Sequence, residues 1–162
     1  MPKLRAMFAG CLLSLIASAA VAAPFAQLSS ADRQLAAAAD KPAAVTMSVD
    51  AAQGVAVAGS KITFATEGDY FVIAAAQAGG STKGKVRVWL RLNGQDIANS
   101  STVQSIESKD FTGVLVAQQV MSLKASDVVE VIYAASAPGL GLVVFKPQGE
   151  PVVPSIIFTA YS

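Results

Sequence analysis

The clearest structural signal in the chain lies at residues 85–94, which read KVRVWLRLNG. Apolar positions alternate with charged or aromatic ones, and this pattern predicts a β-strand with one face in a core. Asn93-Gly94 supplies positive φ at both positions of a two-residue turn, so the strand should continue into an antiparallel hairpin. The side chains predicted to face the core are Val86, Val88, Leu90 and Leu92, and those predicted to face away are Arg87, Trp89 and Arg91.

The same pattern of short strands continues on both sides of this segment. Runs rich in Val, Ile, Thr, Phe and Tyr are separated by Gly, Asn, Asp, Ser and Pro, which is typical of an antiparallel sandwich. We therefore expect an all-β domain of about ten strands over residues 43–162. The expected strands lie near residues 45–49, 55–57, 62–65, 69–77, 85–92, 95–100, 112–121, 128–134, 140–145 and 156–161.

The first 22 residues have the composition of a secretory signal peptide. Lys3 and Arg5 precede an apolar stretch at residues 7–16, and small residues follow it. This stretch is shorter than the roughly 20 residues that a membrane-spanning helix needs. We expect cleavage after Ala22 and export to the periplasm or beyond, with no transmembrane segment. Cys11 leaves a lipoprotein cleavage site as the alternative.

Residues 23–42 form an alanine-rich arm with few large side chains. Ser29 and Ser30 are suitable caps for a short helix that would run to about Ala39. Such a helix would bury little, so the arm is expected to be a short surface helix, a capping arm or a frayed terminus.

Three segments have apolar residues at odd- and even-numbered positions alike, so both faces of each strand would be apolar. Residues 85–92 differ, because only one of their faces is apolar. A strand in a two-layer sandwich faces the other sheet on one side only, so a second apolar side needs additional cover. A neighbouring subunit can supply that cover, and so can a loop or the arm of the same chain. The pattern leaves both alternatives open for residues 70–76, 128–133 and 156–161.

The composition argues against several classes of function. Removing Lys3 and Arg5 from 12 basic residues leaves 10 against 11 acidic ones, so no nucleic-acid partner is expected. The chain has no histidine, and its one cysteine lies in the leader, so zinc sites, cofactors and serine or cysteine triads are not expected. We expect no enzymatic activity, with a carboxylate hydrolase as a minor alternative. The acidic residues considered are Asp96, Glu107, Asp110, Asp127 and Glu130.

Four segments resemble strands of the jelly roll shared by the complement C1q globular head and the tumour necrosis factor ligands. They read TFATEGDY at 63–70, VWLRLNG at 88–94, VMSLKASDVV at 120–129 and FTAY at 158–161. The chain departs from that family at Ser126 and Ala160, where the family favours glycine. It also has no Gly-X-Y repeat. It is therefore similar to a stalkless, bacterial member.

The resemblance implies a jelly roll and a homotrimer. In that family the subunits associate through one of the two sheets. The resemblance places three strands of this chain in that sheet: the long first strand, the strand after the turn at Ser126 and the terminal strand. The subunit interface predicted in this way consists of Tyr70, Val72, Val129, Val131, Tyr133, Phe158 and Tyr161.

Two functions follow as hypotheses. The first is an exported, non-enzymatic binding or assembly module that forms a homotrimer and recognises a protein or glycan ligand. The alternative is a carbohydrate- or lipid-binding jelly roll, for which Trp89 is a candidate ligand contact and Tyr133 a weaker one. The alternative role of Trp89 is structural, as an indole that lies over the stems of Arg87 and Arg91 or under a loop.

Overall fold

A computed structural model describes residues 22–162, so the predicted signal peptide lies outside the described residues except for Ala22. The described part is all-β, with fourteen strands and no α-helix. The strands are β1 (Phe25–Ser30), β2 (Gln34–Leu35), β3 (Ala43–Ala44), β4 (Ser48–Gln53), β5 (Val55–Ala58), β6 (Lys61–Phe64), β7 (Gly68–Gly80), β8 (Gly84–Leu92), β9 (Gln95–Asp96), β10 (Thr102–Ile106), β11 (Gly113–Leu123), β12 (Val128–Ala135), β13 (Leu140–Leu142) and β14 (Ile156–Tyr161).

The strands form two antiparallel sheets. Sheet I has the order β2-β13-β7-β14-β1-β4, with β11 also paired to β7. Sheet II has the order β10-β8-β12-β6-β5, with β3 on β12 and β9 on β8. Large side chains from both sheets fill the space between them and are fully buried, among them Leu28, Phe64, Tyr70, Leu90 and Phe158. This arrangement confirms the predicted all-β antiparallel jelly roll.

The hairpin predicted at Asn93-Gly94 is confirmed. Both residues have positive φ, at 49° and 81°, and Arg91 pairs directly with Asp96 across the turn. The strand expected at residues 95–100 is wrong beyond Asp96, because the chain leaves the sheet there. It returns as β10, which sequence patterns did not predict.

The arm contains strands, so the expectation of a short N-terminal helix is wrong. Strand β1 lies between β14 and β4 and exchanges backbone hydrogen bonds with both. Ala26, Leu28 and Ser30 point into the core and the intervening side chains point away. Tertiary pairing outweighs the helical preference of alanine here, because a helix of these residues would bury almost nothing.

Strand β12 belongs to sheet II, and it does not share a sheet with β7 and β14 as the resemblance implied. Its second face is covered within the chain. Ile132 is fully buried opposite Trp89, and the arm runs alongside, where the Asp40 N–H donates to the Ala135 carbonyl at 2.7 Å. The sequence left open whether a second subunit or the same chain covers the second apolar face of such strands. For β12 the cover comes from the same chain.

Within residues 22–162, no helix is long and apolar enough to cross a membrane.

Candidate functional site

The face of sheet I that points away from sheet II carries a row of apolar side chains. The register places Phe25 opposite Tyr161, Tyr161 opposite Phe71, and Phe71 opposite Val120. Four strands thus contribute adjacent side chains to one continuous row. Tyr161 is 49% exposed and Val120 is 66% exposed.

A second apolar row lies four residues away along the same strands. It contains Ile157, Ala75 and Val116, which pair in that order across β14, β7 and β11. A more polar row separates the two, and in it Thr159 Oγ1 donates a hydrogen bond of 2.7 Å to Gln27 Oε1. We call this surface the apolar face and define it by Phe25, Phe71, Ile73, Val116, Val120, Ile157 and Tyr161.

The seven residues predicted for the interface do not lie together on this surface. Tyr161 is exposed on the apolar face, whereas the other six side chains are packed in the core: Tyr70, Val72, Val129, Val131, Tyr133 and Phe158. Strand periodicity fixes which residues share a face, but it does not say which face meets the other sheet. The surface available to a partner is therefore the opposite face of β7 and β14. The sequence of β11 contains a pattern that could have indicated this face. Val114, Val116 and Val120 are all at even-numbered positions and therefore lie on one face of the strand.

A cleft lies on the outer side of sheet II, where β8 and β12 meet the arm. The cleft is open, has a volume of about 410 Å³ and contains Trp89 in its lining. We call it the Trp89 cleft. Its lining residues are Asp40, Pro42, Arg87, Trp89, Asp96, Ile97, Ala98, Asn99, Ser101 and Ala134.

One wall of the Trp89 cleft is the loop at residues 97–101. The buried hydroxyl of Ser100 accepts a hydrogen bond from Leu90 N at 3.0 Å and donates one to the Ile97 carbonyl at 2.8 Å. Asn99 adopts a left-handed backbone conformation with φ of 63°. The hydroxyl of Ser100 thus replaces a strand partner for β8 and holds this wall in place.

The opposite wall comes from the arm. Asp40 has φ of 57°, and its carboxylate forms an ion pair with Arg87 of β8. Just after the arm, the Val45 N–H donates to the Val131 carbonyl at 2.8 Å and fixes the end of the arm against β12. Both walls are therefore attached to sheet II by hydrogen bonds.

A second ion pair lies on the rim of the cleft, where Arg91 Nε donates to Asp96 Oδ1 at 2.7 Å. This hydrogen bond is the main cause that holds the pKa of Asp96 below its usual value. Trp89 Nε1 is buried and forms no hydrogen bond among the described residues. Arg91 is therefore the residue that favours the charged form of the Asp96 carboxylate.

The structure places Trp89 in the lining of the cleft, and its role as a ligand contact stays a prediction. The side chain is half-buried on the same face as Arg87 and Arg91, and Trp89 is the cross-strand partner of Ile132. Tyr133 lies outside the cleft, since its ring is in the core, where burial raises the pKa of its hydroxyl. Asp40 and Asn99 were not predicted, because they reach the cleft only through tertiary contacts.

The candidate carboxylates do not converge on one place. Asp127 accepts hydrogen bonds from Asn93 Nδ2 and from Lys124 N, both at 2.8 Å, and Glu130 accepts one from Ser60. Glu107 and Asp110 are exposed in the loop before β11. Among residues 22–162, no three side chains of the usual metal-binding types cluster as a metal ion would require.

Comparisons with known proteins show similarity in structure alone. No family model matches the chain, and no curated protein matches it in sequence. Crystal structures of murine APRIL are similar in fold. The structure at pH 5.0 superposes with a TM-score of 0.59 at 11% identity, over 87% of this chain and 100% of that chain. The structure at pH 8.0 gives 0.58 at 14% identity over the same shares of the two chains.

These matches support a tumour-necrosis-factor-like jelly roll for this chain. Identity this low shows the fold alone, so the similarity carries no activity and no ligand across. Kinship with complement C1q and a bacterial source stay predictions.

Proposed function

We propose that this chain is an exported, non-enzymatic binding or assembly module that forms a homotrimer through the apolar face. The observation that carries the proposal is the continuous row from Phe25 through Tyr161 and Phe71 to Val120. Export rests on the predicted signal peptide at residues 1–22.

The exposure of this surface supports association. Monomeric proteins rarely leave large contiguous apolar patches in water, and such patches commonly mark protein interfaces. Complete burial of a fully exposed large apolar side chain contributes about 1.5–3 kcal/mol, and burial of a partly exposed one contributes proportionately less. Five side chains of the apolar face are exposed, so burying them against a partner would stabilise the complex. They are Phe25, Val116, Val120, Ile157 and Tyr161.

The shape of the apolar face favours a ring. Valines of β11 lie near one edge of sheet I, and the aromatic residues of β1 and β14 lie towards the other. If the valine edge of one subunit packs against the aromatic side of the next, the contact is heterologous, and it gives a ring where the rotation between subunits closes. The resembled family forms trimers through a sheet that includes the long first strand and the terminal strand, here β7 and β14, and this supports three subunits.

The mass of the mature chain in solution tests the proposal. Light scattering at micromolar concentration is expected to give three times the chain mass. Val120→Glu places a charge on the apolar face and should yield folded monomers. Val103→Glu is the matched control, because Val103 is a similarly exposed strand valine (58%) in sheet II, and it should leave the trimer intact.

Two outcomes would contradict the proposal. One is a monomeric native chain at these concentrations. The other is a Val120→Glu variant whose mass and circular dichroism both equal those of the native chain.

The alternative function, a carbohydrate- or lipid-binding protein, is favoured by one observation, which is the Trp89 cleft. The cleft lies on sheet II and the apolar face on sheet I, so the two functions do not compete for one surface.

A further inference from the structure

We propose that the Trp89 cleft is a binding site for a neutral saccharide of one or two rings. The proposal rests on the alternative function above and narrows it to one class of ligand. It is independent of the homotrimer, because the cleft is formed by one chain and lies on the sheet opposite to the apolar face.

The size and construction of the cleft fit a small ligand. Its volume of about 410 Å³ lies within the usual range for small-molecule sites. Both walls are fixed before any ligand arrives, one by the buried hydroxyl of Ser100 and the other by the hydrogen bond from Asp40 N to Ala135. A preformed site avoids the entropy cost of ordering loops on binding.

The chemistry of the lining fits a sugar ring. A pyranose has an apolar side of C–H groups and a rim of hydroxyls that both donate and accept hydrogen bonds. The indole of Trp89 offers a flat apolar surface to the C–H side of the ring. Arg87 and Asn99 offer hydrogen-bond donors to the sugar hydroxyls, and Asp40 and Asp96 offer charged acceptors to them.

The charge balance favours a neutral ligand over an ionic one. Arg87 is paired with Asp40 and Arg91 with Asp96, so the two cations and two anions at the cleft compensate each other. A phosphate or carboxylate ligand would lack an unpaired cation here, and a quaternary ammonium would find a single aromatic ring, not a cage. Four charged groups around the opening also disfavour an acyl chain.

The backbone around the cleft disfavours an extended peptide. Strand β8 is paired with β12 on one side. On the other side it is paired with β10 over Gly84–Val88 and with β9 at the hairpin, and between them Leu90 is bonded to Ser100 and Ile97, so the backbone of β8 has no open edge here. Peptides that bind to sheets usually add a strand to an open edge. The cleft offers side chains in place of an edge, which suits a compact polyhydroxylated molecule.

Trp89 provides a direct signal for the test, because it is the only tryptophan in the chain. The mature protein is titrated with methyl glycosides of glucose, galactose, mannose and N-acetylglucosamine and with their β-linked dimers. At least one of them should change the emission of Trp89 saturably, with a dissociation constant in the millimolar range.

The variant D96N/N99A should weaken that binding by about tenfold or more, because it removes a charged acceptor and an amide from the rim. Both side chains are exposed, so the variant should keep the circular dichroism of the native protein, with a small loss of stability because alanine is less favourable than asparagine at the left-handed φ of Asn99. Glu67→Gln is the matched control, because it neutralises an exposed carboxylate in the loop before β7, and its titration should equal that of the native protein.

The proposal is overturned if no neutral sugar changes the emission of Trp89, or if choline or dodecylphosphocholine micelles saturate it while no sugar does. An unchanged affinity in D96N/N99A also overturns it. The same titration of Val120→Glu separates the two proposals, since the sugar site should persist in monomers and the trimer does not depend on sugar.

Discussion

The ring of Tyr161 meets the ring of Phe71 edge to face on the apolar face of sheet I. Their centroids are 5.8 Å apart and their planes are inclined by 79°. The two residues are direct cross-strand partners between β14 and β7, and Phe25 is the next neighbour in the row. The last strand of the chain is thereby attached to the longest strand through side chains as well as through backbone hydrogen bonds.

We expect this aromatic pair to stabilise the fold by about 1 kcal/mol beyond the burial of its area. A double-mutant cycle with Phe71→Leu and Tyr161→Leu measures the coupling. Urea unfolding at several chain concentrations separates it from any effect of association. A coupling energy near zero would show that the two rings are neighbours without a specific interaction.

Ile157 and Phe158 are adjacent in β14 and test which face belongs to the core. Phe158 is fully buried, whereas Ile157 is 39% exposed on the apolar face. Phe158→Asp should prevent folding, because an unpaired charge in the core costs about 4 kcal/mol or more. Ile157→Asp should instead give folded monomers, seen by circular dichroism and light scattering. Folded monomers from Phe158→Asp would contradict the observed register.

The strands that sequence predicted well are those whose own residues determine them. The hairpin at Asn93-Gly94 depends on two local φ angles and on the alternation in β8, so it could be placed from ten residues. Strand β1 depends on distant partners, since Phe25–Ser30 is extended only because β14 and β4 lie on either side. Local composition favoured a helix there and could not reveal those partners.

The candidate surfaces follow the same distinction. The apolar excess of residues 70–76 was visible in the sequence. Whether the face of Tyr70 or the face of Phe71 is exposed could not be predicted, because it depends on the side of the strand on which sheet II lies. Trp89 was identified as a candidate contact because of its place among polar residues. Asp40 lies 49 residues before Trp89, and only the pairing of the arm with β12 brings it to the cleft.

Ser126 occupies a position that favours glycine. Its φ is 74°, which a residue with a Cβ adopts at a cost, and it is where the resembled family has glycine. Ser126→Gly should therefore raise the free energy of unfolding by roughly 0.5–1 kcal/mol, with part of the relief offset by the larger entropy of the unfolded chain. Ser108→Gly is the control, because Ser108 is an exposed loop residue outside the set with positive φ, and it should not stabilise. A lower melting temperature for Ser126→Gly would contradict the expectation.

Asp127 links the turn before β12 to the hairpin of β8 and β9. Its carboxylate accepts a hydrogen bond from Asn93 Nδ2, while Asn93 Oδ1 accepts one from the N–H of Val128. The hydrogen bond from Asn93, followed by the one from the backbone N–H of Lys124, holds the pKa of Asp127 below its usual value of 3.8. The charged form of the carboxylate is therefore favoured in the folded chain.

The lowered pKa of Asp127 means that the folded state becomes less stable at acidic pH. Since the pKa is lower in the folded state, the stabilisation is complete above about pH 4 and is lost as the pH falls through the folded value. Asp127→Asn should lower the melting temperature at pH 7, and its difference from the native protein should shrink below pH 4. Asp110→Asn, which changes an exposed carboxyl in the loop before β11, should leave the profile unchanged. If the Asp127→Asn difference stayed constant from pH 7 to pH 2, the two turns would be held together without the charge on Asp127.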